Sequence, residues 1–163
     1  IQNAVESLKA QACALLDAYD TRDALRARIN AVDAKSVSLY TMRAVVDVIR
    51  CALEFDANQL RAAMLVSAQY NVISFKVSDI QSLTMRAVSS SVNAAMYTVK
   101  ACEILDLMTY DKKSRVATFN TDNELYKSLH ESAMYYLQDE SLHVDKYHVQ
   151  RVMSTAKQLK LID

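Results

Sequence analysis

Residues 108–119, M-T-Y-D-K-K-S-R-V-A-T-F, contain two short β-prone runs on either side of a polar, charged tip. This pattern predicts a β-hairpin, because β-branched and aromatic residues favour strands and polar residues favour turns. Upstream, V-I-S-F-K-V at 72–77 alternates in part and predicts a short strand. Helical periodicity predicts a helix over 57–70 before that strand, a short helix over 79–83 after it, and a long helix over 87–105 before the hairpin.

The composition of the whole chain supports a mainly α-helical fold. Its 163 residues include neither glycine nor proline, although average usage would supply about eleven and about eight. Without glycine, a P-loop or a glycine-rich dinucleotide loop cannot be built, and all-β folds that need glycine turns are disfavoured. Apolar residues make up 52% and charged residues 23%, with 19 basic and 19 acidic side chains, as in soluble globular proteins. No membrane-spanning run or signal peptide is expected.

Further helices are expected on both sides of the central region. Apolar residues at helical spacing predict two helices between 5 and 32, a helix over 38–55 that is apolar on most of its circumference, and a last helix around 149–159. Thr121 and Glu124 have the T-x-x-E spacing of a capping box, which predicts the start of another helix. The helix over 38–55 should be central or at an interface.

The central order of helix, strand, short helix, long helix and hairpin is that of a winged helix-turn-helix. Such a module places its second helix in the DNA major groove and contacts the DNA backbone with the hairpin. We therefore expect a mainly α fold that divides into an N-terminal helical segment for dimerisation or partner binding (1–56), a winged helix-turn-helix (57–120) and C-terminal helices (121–163).

Short motifs of this region occur in an informative order. They are D-I-Q-S-L-T at 79–84, V-S-S-S-V-N at 88–93, E-I-L-D-L-M at 103–108, D-K-K-S-R-V at 111–116 and T-D-N-E-L-Y at 121–126. In this order, over about residues 57–137, the chain resembles the MarR (multiple antibiotic resistance regulator) family of winged-helix transcription factors. The resemblance implies a repressor that binds double-stranded DNA and responds to a small-molecule effector. We also expect a homodimer, because the helices at both ends of the chain keep long apolar stripes outside any single winged-helix core. That family has glycine where this chain has Asp106, a position past a helix end that often needs positive φ, which Asp tolerates better than most residues.

The long helix over 87–105 has the two faces that a recognition helix requires. One face is an apolar stripe, and the other carries short polar groups, an amide that can pair with adenine, and cations that can reach phosphate or guanine. The predicted DNA-binding residues are Ser89, Ser90, Asn93 and Tyr97 on bases, and Arg86, Lys100, Lys112, Lys113 and Arg115 on phosphates.

The charge distribution leaves a second function open. Residues 76–119 carry six basic and four acidic side chains, a net of +2, and residues 120–163 carry five basic and seven acidic ones, a net of −2. This polarity has the sign that DNA binding needs, but it is small for a dedicated DNA-binding domain. Winged helices also bind proteins, for example at the end of helical-repeat PCI domains, which this element order also resembles. The alternatives are therefore a protein-interaction or scaffolding subunit and a purely structural helical bundle.

Histidine and cysteine spacing predicts no catalytic or metal site. His143 and His148 are five residues apart, which does not place two ligands on one helix face. No spacing suggests a nucleophile with a base and an orienting group, so we expect neither an enzyme nor a cofactor. Cys13, Cys51 and Cys102 each lie in an apolar helical pattern, which predicts buried, reduced thiols and a cytoplasmic protein. The alternative is an oxidant sensor at Cys13, as in some MarR-type repressors, although apolar surroundings would raise the pKa of this thiol and keep it inert.

Overall fold

The computed structural model describes residues 1–55, 59–84, 92–142 and 148–163. Within these ranges the chain is mainly helical, as predicted, with one small sheet. In chain order the elements are α1 (Gln2–Leu15), α2 (Arg22–Asn30), α3 (Leu39–Glu54), α4 (Gln59–Tyr70), β1 (Ser74–Lys76), α5 (Val77–Leu83), α6 (Val92–Ile104), β2 (Met108–Asp111), β3 (Val116–Phe119), α7 (Glu124–Gln138) and α8 (His148–Gln158).

The sheet is antiparallel, with strand order β1-β3-β2. The predicted hairpin is confirmed as β2 and β3, in which Met108 pairs with Phe119 and Asp111 with Val116. The predicted strand over 72–77 is shorter than expected, because Val77 already belongs to α5. The backbone amide of Val77 donates a hydrogen bond to the carbonyl of Arg115 at 3.1 Å, which joins the start of α5 to the end of the hairpin turn.

Non-glycine residues in the left-handed conformation close four of the helices. They are Phe55 after α3 (φ 54°), Asn71 after α4 (φ 58°), Asp106 after α6 (φ 56°) and Lys160 after α8 (φ 62°). The positive φ expected at Asp106 is therefore confirmed. In this conformation an L-residue is about 1–2 kcal/mol less stable than in the right-handed one, so a chain without glycine accepts that cost at each such site.

The end of α6 shows how such a helix is closed. The amide of Leu107 donates to the carbonyl of Cys102 at 2.8 Å, and the amide of Asp106 donates to the carbonyl of Glu103 at 3.0 Å. This pair of bonds is a Schellman motif with Asp106 in the position that glycine usually takes. The motif turns the chain from α6 into β2.

The capping box predicted from Thr121 and Glu124 is wrong. Asn123 is the N-cap of α7, and its side-chain oxygen accepts a hydrogen bond from the amide of Leu125 at 2.8 Å. An Asn at this position satisfies one of the free amides of the first turn as well as Thr would. Glu124 instead accepts hydrogen bonds from the amides of Asp20 and Thr21 at 3.1 Å each, just before α2.

One hydrophobic core contains side chains from every part of the chain, from Val5 to Ala156. The helix over 38–55 is central, as predicted, because α3 packs against α1, α6 and α7. Lys9 of α1 is buried as well, and its ammonium donates to the carbonyls of Asn30 and Val32 at the end of α2. Among the described helices, none is long and apolar enough to cross a membrane.

Candidate nucleic-acid interface

The buried stripe predicted for the long helix is confirmed in the described part of α6, whereas its predicted polar face is exposed only in part. Ala95, Val99 and Cys102 are fully buried, whereas Asn93 and Lys100 are exposed. The buried positions lie three to four residues apart, so they form one stripe against the core, and the exposed pair lies on the opposite side. Asn93 and Lys100 are therefore accessible to a ligand.

Three of the predicted DNA-binding residues, Arg86, Ser89 and Ser90, lie outside the described residues. Tyr97 is described and is half-buried. Its ring stacks on the ring of Tyr40 from α3, with centroids 5.4 Å apart and planes inclined at 27°. The aromatic ring of Tyr97 is thus packed against another element of the protein.

The hairpin tip presents the three predicted cations to solvent. Lys112, Lys113 and Arg115 are exposed. The turn that carries them is held by Asp111, whose carboxylate accepts a hydrogen bond from the amide of Lys113 at 3.0 Å and whose carbonyl accepts one from Arg115 at 2.8 Å. Arg115 has a φ of 60°, the left-handed conformation that closes the turn.

A fourth cation, Lys76, lies at the same end of the sheet. In the sheet register Lys76 is paired with Val116, the residue after Arg115, and its side chain is exposed. The carboxyl of Asp79 is close by: burial raises its pKa, and the charge of Lys76 partly offsets that rise. Lys76 was not among the predicted contact residues, because only the pairing of β1 with β3 brings it to the hairpin.

We call these four cations the basic edge; its members are Lys76, Lys112, Lys113 and Arg115. None of the ion pairs found among the described residues involves them. Exposed cations outside these ion pairs suit a phosphate backbone, since they break none of them when they bind it. The basic edge is also rigid at its base, because backbone hydrogen bonds join its strands.

Residues of the described ranges also line clefts away from the basic edge, and two of these have the size of a ligand site. The first, of about 480 Å³, lies between the end of α3, the start of α4 and α7, and Arg61 extends along it with its guanidinium 5.2 Å from the ring centroid of Tyr136. The second, of about 600 Å³, lies between α2 and the segment 119–124. Both have the size of a small-molecule site. Within the described ranges, no group of three or more His, Cys, Asp and Glu side chains is arranged to hold a metal ion.

The cysteines follow the sequence prediction in two cases. Cys51 and Cys102 are buried and neither forms a disulfide, and burial raises the pKa of Cys102 strongly. Cys13 is only half-buried, and its thiol lies 3.9 Å from the side-chain oxygen of Asn30. Burial raises the pKa of Cys13, whereas the nearby charges of Arg26 and Lys9 lower it in part. The predicted upward shift is therefore confirmed, and it disfavours an oxidant-sensing thiolate.

No family model, curated protein or solved structure matches this chain. Its function is therefore inferred from its own geometry.

Proposed function

We propose that the chain is a DNA-binding transcriptional regulator in which residues 57–120 form a winged helix-turn-helix. The order α4, β1, α5, α6, β2, β3 supports this proposal, as does the sheet order β1-β3-β2, in which the first strand adds to the hairpin. In this arrangement α6 is the recognition helix and the β2-β3 turn is the wing. The resemblance to the MarR family is part of the same proposal.

The observation that carries the proposal is the basic edge. Its four exposed cations occupy one end of the sheet, on strands that the backbone holds in register. The turn at Asp106 leads directly from α6 into β2, and α6 packs against β2, so α6 and the hairpin are neighbouring elements. In the proposal, the wing and α6 contact one stretch of duplex together.

The proposed division of labour follows from side-chain chemistry. The basic edge and Lys100 would bind phosphates, which sets affinity and orientation without reading the sequence. Asn93 would read a base, because its amide can donate to and accept from adenine in the major groove. Arg86, Ser89 and Ser90, outside the described residues, remain proposed contacts.

The experiment that tests this function is a fluorescence-anisotropy titration with random-sequence duplex DNA. We expect the wild-type chain to bind and the triple variant Lys112→Ala/Lys113→Ala/Arg115→Ala to lose at least about tenfold in affinity at low salt. A matched triple variant of exposed cations elsewhere, Lys35→Ala/Lys127→Ala/Lys157→Ala, should bind as the wild type does. Equal losses in the two triple variants would contradict a specific role for the wing.

A protein-interaction winged helix is the second candidate, and the packing of α6 favours it. Between 93 and 104 only Asn93 and Lys100 are fully exposed, and α3 covers the neighbouring flank of the helix. So narrow an exposed face limits how many side chains of α6 can reach base edges in a major groove. Absence of DNA binding even at low salt would support this candidate, with α6 or residues 1–56 as the surface for a partner protein.

The homodimer and the effector are further parts of the proposal. The dimer was expected because the terminal helices have apolar stripes, but Val5 and Ala12 of α1 and Val152 and Ala156 of α8 pack into the core of this chain. That reason for a dimer is removed, so a dimer would need another surface. Sedimentation equilibrium tests it directly: a monomer mass at micromolar concentration would contradict the dimer. An effector would need a cleft such as the one beside Arg61.

A further inference from the structure

The start of α3 forms an exposed aromatic and basic surface beside α6. Tyr40 is 59% exposed, and its ring stacks on Tyr97 of α6. The guanidinium carbon of Arg43 lies 5.8 Å from the ring centroid of Tyr40. Because positions 93, 97 and 100 share one face of a helix, this cluster adjoins the exposed side chains of Asn93 and Lys100.

We propose that Tyr40 and Arg43 form a second phosphate-binding site for duplex DNA, and that Tyr97 positions Tyr40. This inference rests on the proposed DNA-binding function and extends its surface from α6 to α3. Guanidinium groups and phenolic hydroxyls are both frequent donors to phosphate oxygens. Neither residue was predicted as a contact, because α3 precedes the winged-helix region in the sequence.

Stacking on Tyr97 restricts the orientation of the exposed Tyr40 ring, and with it the direction in which the Tyr40 hydroxyl can donate. A ring that packs face to face on another ring has few orientations left, so its hydroxyl loses little entropy when it binds. Arg43 contacts the same ring through a cation–π interaction, which leaves the N–H groups at the rim of its guanidinium available for a phosphate. Tyr97 is half-buried and supplies the fixed platform.

The charges of the two helices balance. α3 carries Arg43, Arg50, Asp47 and Glu54, and α6 carries Lys100 and Glu103, so three basic and three acidic side chains give a net charge of zero. The cation nearest Tyr40 is Arg43, whose side chain is exposed. Burial raises the pKa of Asp47, and the charge of Arg50 lowers it in part, so Asp47 interacts electrostatically with Arg50. The site is therefore a supporting contact and not the main source of affinity.

The charge at Arg43 can be tested with the intact chain and a random-sequence duplex. We compare wild type, Arg43→Gln and the control Lys127→Gln, which removes an exposed cation from α7. Arg43→Gln should lower affinity about threefold to fivefold, the scale of one exposed charge contact. It should also reduce the slope of log affinity against log salt by about 0.9, whereas the control should change neither quantity. Equal behaviour of the two variants would overturn the proposal.

The role of Tyr97 is tested by removing one hydroxyl at a time. Tyr40→Phe keeps the stack and removes the proposed donor, so its affinity should fall about twofold to threefold. Tyr97→Phe also keeps the stack and should bind with wild-type affinity and sequence preference. The opposite pattern, a loss in Tyr97→Phe alone, would show that Tyr97 contacts DNA itself and would overturn its positioning role.

The outcomes separate this proposal from the proposed function. If the wild-type chain binds no duplex at low salt, the proposed function fails and the α3 site fails with it. If the Lys112/Lys113/Arg115 triple variant loses affinity while Arg43→Gln and Tyr40→Phe do not, the wing is supported and only the α3 site is overturned. If the triple variant, Arg43→Gln and Tyr40→Phe all lose affinity while Lys127→Gln does not, both the wing and the α3 site are supported.

Discussion

The carboxylate of Glu124 accepts a hydrogen bond from the backbone amide of Thr21 at 3.1 Å, and the amide of Asp20 binds its other oxygen at the same distance. The side chain of Thr21, the N-cap of α2, forms no capping hydrogen bond. Glu124, the first residue of α7, instead supplies an anionic acceptor for the backbone amides just before α2. The contact spans more than 100 residues of sequence. It joins the N-terminal helices to the C-terminal ones.

Glu124→Ala should therefore lower the free energy of unfolding by about 1–2 kcal/mol, because two backbone amides lose a charged acceptor. Asp122→Ala is the matched control, since Asp122 is exposed two residues earlier. It should change stability by less than about 0.5 kcal/mol. Urea unfolding followed by circular dichroism measures both. Equal effects would mean that the hydrogen bonds of Glu124 contribute nothing in solution.

Lys160→Gly should stabilise the protein by up to about 1 kcal/mol, because glycine adopts the left-handed conformation without the steric cost that Lys pays at a φ of 62°. Lys160 is exposed, so little side-chain packing is lost. The control is Lys157→Gly, inside the last turn of the same helix, which should destabilise by about 0.5–1 kcal/mol. If both substitutions changed the free energy of unfolding in the same direction, a positive φ at Lys160 would be contradicted.

Asp79→Asn should change the pH dependence of stability. Burial raises the pKa of Asp79 above its ordinary value of 3.8, so the folded chain binds this proton more tightly than the unfolded chain. Such a group favours folding below that value, and its contribution declines as pH rises through the folded-state pKa. Asn imitates the protonated form. The variant should match wild type near pH 3 and be the more stable of the two near pH 7, as measured by urea unfolding at both pH values; the reverse order would contradict the shift.

Asn93→Ala and Lys113→Ala should affect DNA binding in different ways. The first removes the amide proposed to read a base, so selection from a random library should yield a less restricted sequence at one position. The second removes a phosphate contact, so affinity should fall for all sequences alike and the salt slope should drop by about 0.9. An unchanged selected sequence with Asn93→Ala would contradict base reading by α6.

Features that depend on local sequence could be predicted well. The hairpin and the buried stripe of α6 follow from the pattern of neighbouring residues, whereas the positive φ at Asp106 was expected from the glycine that the MarR family has at this position. The wrong prediction at the start of α7 is also local: Asn123 and Thr121 are both good N-caps, and Asn is the more favoured of the two.

Features that depend on long-range packing could not be predicted in the same way. Lys76 joins the basic edge only through the register of β1 with β3, forty residues away in sequence. Tyr40 reaches Tyr97 only because α3 packs on α6. In both cases the sequence contains the side chain but no signal for its neighbour, so the candidate surface is larger than the predicted one.

The most direct measurement is the salt dependence of binding of the wild-type chain to a random-sequence duplex, between about 50 and about 200 mM salt. If the basic edge binds phosphates, log affinity should fall linearly with log salt, with a slope of about −2.7 to −3.6 for about three to four neutralised phosphates. A slope near zero, or no binding at the lower salt concentration, would contradict DNA binding by this protein.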